Sequence, residues 1–145
     1  MAHLQRKPLS LPAHVARKTC EPRIGQRMPD GTIYAGISCD TGRPLFTTPV
    51  DLPEIMVWFD AMRIASRAML HGHGDWRVPT SRQLDLLYQN HEAIGGFNES
   101  GFASEGWYWS SVSPLYGLVW ARRFRDGNSD TASKLSLISV RLVRG

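Results

Sequence analysis

The spacing of apolar residues changes once along the chain, and this change limits the folds that are open to it. Within residues 53–90, apolar side chains such as Trp58 and Met62 recur at helical spacing. From Trp107 onward, short apolar runs alternate with turn signals such as Asp126-Gly127, which is typical of β-strands. Because the helical patterns precede the β-rich half and do not alternate with strands, they predict an α+β fold.

Two helices are predicted. The first runs from about residue 53 to residue 70, with Asp51 as its N-cap and a glycine-rich turn after its last residue. The second covers 80–90, where Thr80 and Gln83 form the T-x-x-Q pattern of a capping box. We therefore expect two clearly separated helices before the β-rich half.

Five segments have the composition and spacing of strands, namely 32–37, 45–48, 107–111, 118–124 and 137–143. In the last segment, Ile138, Val140 and Leu142 alternate with their neighbours, which is the period-2 pattern of a strand. We expect the two helices to pack on a mostly antiparallel β-sheet.

Charge and proline content divide the chain into two parts. Residues 1–28 hold prolines and show no sustained period, so we predict a basic N-terminal arm followed by one domain over residues 29–145. The net charge is +4, and residues 1–27 carry six basic side chains against one acidic side chain. The arm is either a solvated tail or a segment that touches phosphates or an acidic partner. The nearly neutral domain does not indicate a nucleic-acid partner.

The two cysteines and the apolar segments exclude several classes of protein. Cys20 and Cys39 match neither a zinc-binding spacing nor a disulfide framework, and a bridge between the two stays open. The sequence contains no run of about 18 apolar residues, so we expect no membrane insertion. The basic N-terminus lacks an apolar core, so we expect no secretory signal peptide. Work outside a cell would then need transport on an assembled particle.

Three motifs of the domain resemble one known family. They are Gly74-Asp75-Trp76-Arg77-Val78-Pro79-Thr80, Tyr108-Trp109-Ser110-Ser111 and Val140-Arg141-Leu142-Val143-Arg144-Gly145. In this order they resemble the Lcl C-terminal domain family of bacteria and phages, over about residues 32–145. The resemblance implies a C-type-lectin-like fold. Some members form the tips of collagen-like bacterial adhesins, and some relatives are variable ligand-binding proteins of diversity-generating retroelements.

Five residues of these motifs are expected to build the scaffold, namely Trp76, Arg77, Pro79, Trp109 and Arg141. The large indoles of Trp76 and Trp109 suit the core where helices meet the sheet. Pro79 restricts the preceding residue to an extended conformation and lets the second helix start abruptly. Arg77 and Arg141 either pair with carboxylates or carbonyls at the rim of the core or bind an anion.

Metal and catalytic sites find little support in the sequence. His71, His73 and Asp75 lie close together, but zinc needs three or four converging ligands, so we expect a polar turn. Loop oxygens at Asn98 and Glu99 and in the 126–130 segment lack the spacing of a calcium cage. We predict no cofactor, with calcium as the one alternative, and no enzymatic activity, since no catalytic motif is present.

The segment from Ser113 to Ser136 is the predicted ligand-binding surface. By period-2 counting, Trp120, Arg122 and Arg125 lie on one strand face or near it. Exposed Trp, Tyr and Arg dominate interface hot spots, although Trp120 is equally consistent with a core position. The predicted contact residues are Ser113, Leu115, Tyr116, Leu118, Trp120, Arg122, Arg125, Asn128, Asp130 and Lys134.

These observations predict a non-enzymatic module that displays a surface to a protein or glycan ligand, in receptor recognition or adhesion. As the resemblance implies, it would be a phage or bacterial surface protein, facing the outside of the cell or carried on a virion, within a homo-oligomer or particle. The alternative is a structural or assembly component that uses the N-terminal arm. Deletion of residues 1–27 separates the two hypotheses, because only the second requires the arm for assembly.

Overall fold

The strands form two three-stranded sheets. The computed structural model describes residues 21–100 and 106–145. The first sheet has the order β1-β2-β6, formed by β1 (Ile33–Ile37), β2 (Pro44–Thr47) and β6 (Val143–Arg144). The second has the order β3-β4-β5, formed by β3 (Trp107–Trp109), β4 (Leu118–Arg123) and β5 (Ser129–Ser133). Neighbouring strands in both sheets are antiparallel.

Three helices accompany these sheets in the described part of the chain, namely α1 (Trp58–Arg67), α2 (Ser81–Gln89) and the single turn α3 (His91–Ile94). The chain is therefore α+β with antiparallel sheets and few helices, as predicted. The strands divide into two sheets where one was expected, because β6 returns to pair with β2. None of these helices has the length and apolar character that a membrane span requires.

Helix α1 begins later than predicted. Residues 52–56 are not helical, because the backbone N–H groups of Leu52 and Met56, at the two ends of this segment, donate to the carbonyls of Val140 and Ile138 (2.9 and 3.0 Å). The helix starts at Trp58, and no side chain caps it. The prediction that Asp51 is its N-cap is wrong, since pairing with the C-terminal segment outweighs the local helix signal.

Helix α2 begins at the predicted capping box. The hydroxyl oxygen of Thr80 accepts a hydrogen bond from the backbone N–H of Gln83 (3.1 Å), and the Gln83 side chain accepts one from the N–H of Thr80 (3.2 Å). The buried amide of Gln83 also donates to the hydroxyl of Ser38 (3.0 Å), just after β1. The cap therefore also anchors α2 to the first sheet.

The second sheet lies between two apolar cores. On one face, Trp109, Val119 and Ala121 pack in the core that contains α1. On the other face, Tyr108 and the nearby Phe124 pack in the core that contains α2. The two longer helices therefore contact opposite faces of this sheet. Successive side chains of β4 point alternately toward the α1 side and the α2 side.

The C-terminal segment is buried on both sides. Every residue from Ile138 to Val143 is 7% exposed or less, although only Val143–Arg144 is a regular strand. Ser139 exchanges backbone hydrogen bonds with the two tryptophans of β3, and Val143 exchanges two with Arg77 (both 2.9 Å). The alternating pattern here does not separate an inner face from an outer face, because the segment passes between the two sheets.

The last residues of the predicted arm lie against β1. The N–H of Gly25 donates to the carbonyl of Tyr34 (2.8 Å), and the N–H of Tyr34 donates to Gln26 (3.0 Å). The rest of the arm, including Cys20, lies outside the described residues. The division at residue 28 stays a prediction, and Cys39 is exposed with a free thiol.

Candidate functional site

Strand β4 divides its side chains between the two faces of the second sheet. Val119 and Ala121 are buried, at 0% and 1% exposure, whereas Trp120 on the opposite face is 36% exposed. The alternation follows directly from the pleat of the strand. Trp120 is therefore a surface residue at the edge of the core rather than a buried one.

Trp120 lines an open groove of about 430 Å³ beside the N-terminus of α2. The other walls are formed by Val112, by residues 80–82 and by Asp40. The carboxylate of Asp40 accepts a hydrogen bond from the hydroxyl of Thr80, and an oxygen of the same carboxylate lies 3.6 Å from the Arg82 guanidinium. The groove therefore combines an exposed indole with a charged pair.

Arg122 is held by contacts within the molecule. Its guanidinium donates to the carbonyl of Gly127 (2.8 Å), lies 3.3 Å from the carboxylate of Asp85 and stacks over the ring of Tyr88. Its side chain is 19% exposed. Although Arg122 shares the face of Trp120, as the period-2 counting predicts, its charge links a turn to α2 and is not free to meet a ligand.

The loop before β4 projects one aromatic side chain. The hydroxyl oxygen of Ser113 lies 2.9 and 2.6 Å from the carbonyl oxygens of Leu115 and Leu118, so it organises the loop from inside. The N–H of Leu118 donates back to Leu115 (3.1 Å). Tyr116, at the tip of this turn, is 100% exposed. Ser113 therefore fixes the conformation of the loop, whereas the side chain of Tyr116 is available for contact with a ligand.

Tyr116 and Lys134 meet Trp58 and Phe59, which begin α1. The ammonium nitrogen of Lys134 lies 4.8, 5.4 and 6.0 Å from the ring centroids of Trp58, Phe59 and Tyr116. These distances are those of cation–π contacts. We call these four residues the aromatic–lysine patch. The sequence places Trp58 and Phe59 only on a helix, since no local pattern relates them to a lysine so far along the chain.

The charge of Lys134 has no acidic counterpart in the patch. No carboxylate of residues 21–100 or 106–145 forms an ion pair with this ammonium group, which is held by aromatic rings alone. Asp60, next to Phe59 in the chain, pairs with Arg63 (3.2 Å). The patch therefore presents a positive charge within an aromatic surface.

The remaining predicted contact residues lie around the turn between β4 and β5. Arg125, Asn128 and Asp130 are exposed there. The turn is held by Asp126, which pairs with Arg123 (2.7 Å); this side-chain hydrogen bond, followed by one from the Asn128 backbone, lowers the pKa of Asp126 to about 2. Of the ten predicted residues, Trp120 lies in the groove, Tyr116 and Lys134 lie in the patch, and three lie at this turn. The other four, Ser113, Leu115, Leu118 and Arg122, lie in the loop before β4 or on β4 itself.

The signature residues hold the scaffold together. Trp76 and Trp109 are buried, and each indole N–H donates to a backbone carbonyl (3.0 and 2.8 Å). The carbonyl of Pro79 accepts from the N–H of Ser111 (2.8 Å), and the guanidinium of Arg77 donates to a carbonyl that follows β6 (3.1 Å). These contacts join the segments on which the groove and the patch are built.

A buried polar network surrounds Arg141, which pairs with a carboxylate and carbonyls as one of its two predicted alternatives states, although the sequence did not identify those partners. Its guanidinium, 0% exposed, donates to the carboxylate of Asp51 (2.8 Å) and to the carbonyls of Thr48 and Gly95. The hydroxyl of Tyr108 donates to the same carboxylate.

Burial dominates the titration of this network. It raises the pKa of Asp51 although Arg141 opposes the shift, and it lowers the pKa of Arg141 itself. Burial, followed by the Asp51 charge, raises the pKa of Tyr108. Because these groups satisfy one another, the network braces the fold and offers no free group to a ligand.

Comparisons with known proteins assign the family. Among solved structures, the crystal structure of botrocetin is similar to this chain, with a TM-score of 0.47 and 7% identity over 69% of this chain and 89% of that chain. No curated protein matches. The model of the Lcl C-terminal domain matches residues 26–144, which is most of the sequence and includes the three motifs except for the final Gly145. The chain therefore belongs to the Lcl C-terminal domain family.

Proposed function

We propose that this chain is a non-enzymatic binding module with a C-type-lectin-like fold, which recognises a protein or glycan on a cell surface. It would act in receptor recognition or adhesion, on a bacterial surface or a virion. Membership of the Lcl C-terminal domain family is compatible with this role. The contact surface comprises the aromatic–lysine patch and the groove at Trp120.

The observation that carries the proposal is the exposure of large apolar side chains on the loop before β4 and on the first turn of α1. Tyr116 is 100% exposed, Leu115 is 64% exposed and Phe59 is 60% exposed. Apolar side chains that lie together at a surface mark interaction sites in soluble proteins, because a partner that covers them releases water. Aromatic rings of this kind also stack on sugar rings and dominate protein interfaces.

The experiment measures binding of the purified chain to a glycan array and to an array of bacterial surface proteins. Tyr116→Ala and Trp120→Ala are compared with Met69→Ala, which removes an equally apolar side chain that is 71% exposed just beyond the other end of α1. We expect Tyr116→Ala, Trp120→Ala or both to weaken binding at least tenfold, as substitutions of hot-spot residues do. Met69→Ala should bind like the unmodified chain.

Arg122 is left unchanged in this experiment, because its removal would disturb the contact with Asp85 and the turn at Gly127. Arg125→Met removes an exposed arginine outside the groove and the patch, so this variant is a second control and should bind like the unmodified chain. The proposal fails if neither array contains a ligand, or if Tyr116→Ala and Trp120→Ala both bind as tightly as Met69→Ala.

A further inference from the structure

We propose that the aromatic–lysine patch binds a segment of a partner protein in which one carboxylate is flanked by apolar side chains. This inference rests on the proposed binding function and names the ligand class of one of its two surfaces. Three features of the patch support it: an uncompensated cation, an apolar surrounding and a fixed geometry.

The first feature is the charge at Lys134. Three rings lie within 6.0 Å of its ammonium nitrogen, and none of the described carboxylates forms an ion pair with it. An ammonium group carries three N–H donors, which ring faces satisfy only weakly. A carboxylate from a partner would accept charge-assisted hydrogen bonds there, and the surrounding rings would exclude competing water.

The second feature is the apolar surrounding, which favours a protein over a glycan. Leu115 and Leu135, which adjoin Tyr116 and Lys134 in the chain, are 64% and 78% exposed. A sugar needs several hydrogen-bonding partners, whereas the nearby hydroxyl of Ser113 is already placed against two carbonyls of its own loop. Leucine and aromatic side chains are instead typical of the apolar core of a protein interface, and Lys134 would be the one charged group within that core.

The third feature is the fixed position of the lysine backbone. The N–H of Lys134 donates to the carbonyl of Gly117 (3.0 Å), and the carbonyl of Lys134 accepts from the N–H of Trp58 (3.1 Å). The indole N–H of Trp58 donates in turn to Ser110 (3.0 Å). Because α1, the loop and β5 are already joined, binding would order few additional groups, which lowers its entropic cost.

The test uses an array of heptapeptides with glutamate at the centre and leucine or phenylalanine on both sides, each paired with the same peptide carrying glutamine. We expect the unmodified chain to bind the glutamate peptides about tenfold more tightly than their glutamine partners, and increasing salt to reduce this preference. This comparison needs no variant and so cannot be confounded by misfolding.

Variants then assign the preference to the patch. Lys134→Met keeps the length and apolar character of the side chain, and it should abolish the glutamate preference while weak binding remains. Phe59→Ala should weaken binding to both peptide series. Arg125→Met, which removes an exposed cation on the turn after β4, is the matched control and should leave the preference unchanged.

Equal binding of both peptide series by the unmodified chain, or a preference that survives Lys134→Met, overturns the inference. Binding to glycans alone, with loss only in Trp120→Ala, overturns it too but leaves the proposed function intact. Self-association that disappears in Lys134→Met would show that a second copy of the chain covers the patch, which also contradicts the inference.

Discussion

Arg141 brings a full positive charge into the interior, and its neighbours compensate that charge completely. The carboxylate of Asp51 and two backbone carbonyls accept from the guanidinium, which also lies 3.8 Å from the centroid of the Phe97 ring. A buried pair of this kind adds little net stability over apolar residues, but losing one partner leaves the other unpaired. Stability therefore depends on keeping both groups.

The first prediction concerns this pair. Arg141→Met should destabilise the protein by about 3–5 kcal/mol, because the Asp51 carboxylate then lies largely buried without its counter-ion. Arg77→Met is the matched control. Arg77 is only half-buried, and within residues 21–100 and 106–145 its side chain makes one hydrogen bond, to Gly145, so we expect a loss of about 1 kcal/mol. Urea unfolding followed by tryptophan fluorescence measures both values, and equal losses would contradict the prediction.

For individual residues, the period-2 pattern of β4 predicts that Trp120 and Arg122 lie on the same face of the strand, as they do. It does not predict which residues of other segments contact that face. Arg122 has the same parity as Trp120, yet Asp85 and Gly127 bind it. The pleat of a strand is a local property, so a sequence reveals it. The partner of an arginine depends on which helix packs over the strand, and no local pattern contains that information.

At the scale of elements, the two longer helices show when local signals suffice. Helix α2 begins where its capping box predicts, because the reciprocal hydrogen bonds of Thr80 and Gln83 lie within four residues. Helix α1 does not begin after Asp51, because Leu52 and Met56 form backbone hydrogen bonds with the distant C-terminal segment. In these two helices, a capping residue sets the helix start only where the neighbouring backbone groups form no hydrogen bonds with a distant segment.

The second prediction concerns the cap of α2. Thr80→Ala should cost at least about 1 kcal/mol of stability, because the N–H of Gln83 loses its acceptor at the helix end and the Asp40 carboxylate loses a donor. The adjacent Ser81→Ala is the control, since the buried Ser81 hydroxyl has no hydrogen-bond partner in the described part of the chain, and its loss should be neutral or slightly stabilising. Thermal unfolding measures both; a Ser81 variant that is the less stable of the two would refute this interpretation of the cap.

At the scale of the molecule, one polar contact joins two turns that lie far apart in sequence. The imidazole Nε2 of His73 lies 2.7 Å from the Asp30 carboxylate, and the side chain and backbone of Thr32 donate to the same group. These hydrogen bonds, with that of the Thr32 side chain the largest, lower the pKa of Asp30 well below its ordinary value of 3.8. The ionised carboxylate therefore stabilises the folded state.

The third prediction follows from that shift. Because the folded state binds the Asp30 proton less readily than the unfolded state, this stabilisation is present above pH 3.8 and is lost as the pH falls below it. Asp30→Asn should be less stable than the unmodified chain at pH 6, and this difference in stability should shrink steadily as the pH falls from 4 toward 2. Urea midpoints measured across this range test the prediction, and a constant difference would contradict it.

Much of the frame could be predicted from the sequence, whereas the composition of the candidate site could not. The α+β class, the cap of α2, the position of β4 and the family motifs all depend on residues close together in the chain. The aromatic–lysine patch depends on Trp58 and Phe59 meeting Lys134, and the network at Arg141 depends on Asp51 meeting a residue of the last segment.

The sequence by itself determined the family and most of the elements in their order, because hydrophobic period, turn residues and capping depend on a few neighbouring positions. It missed the polar strand β5 and the short helix α3, which lack such a local pattern. Only the tertiary structure decided where α1 begins, that the strands form two sheets, and which side chains surround Lys134. Those features arise when segments far apart compete for the same backbone hydrogen bonds and apolar contacts, and the folded chain as a whole settles that competition.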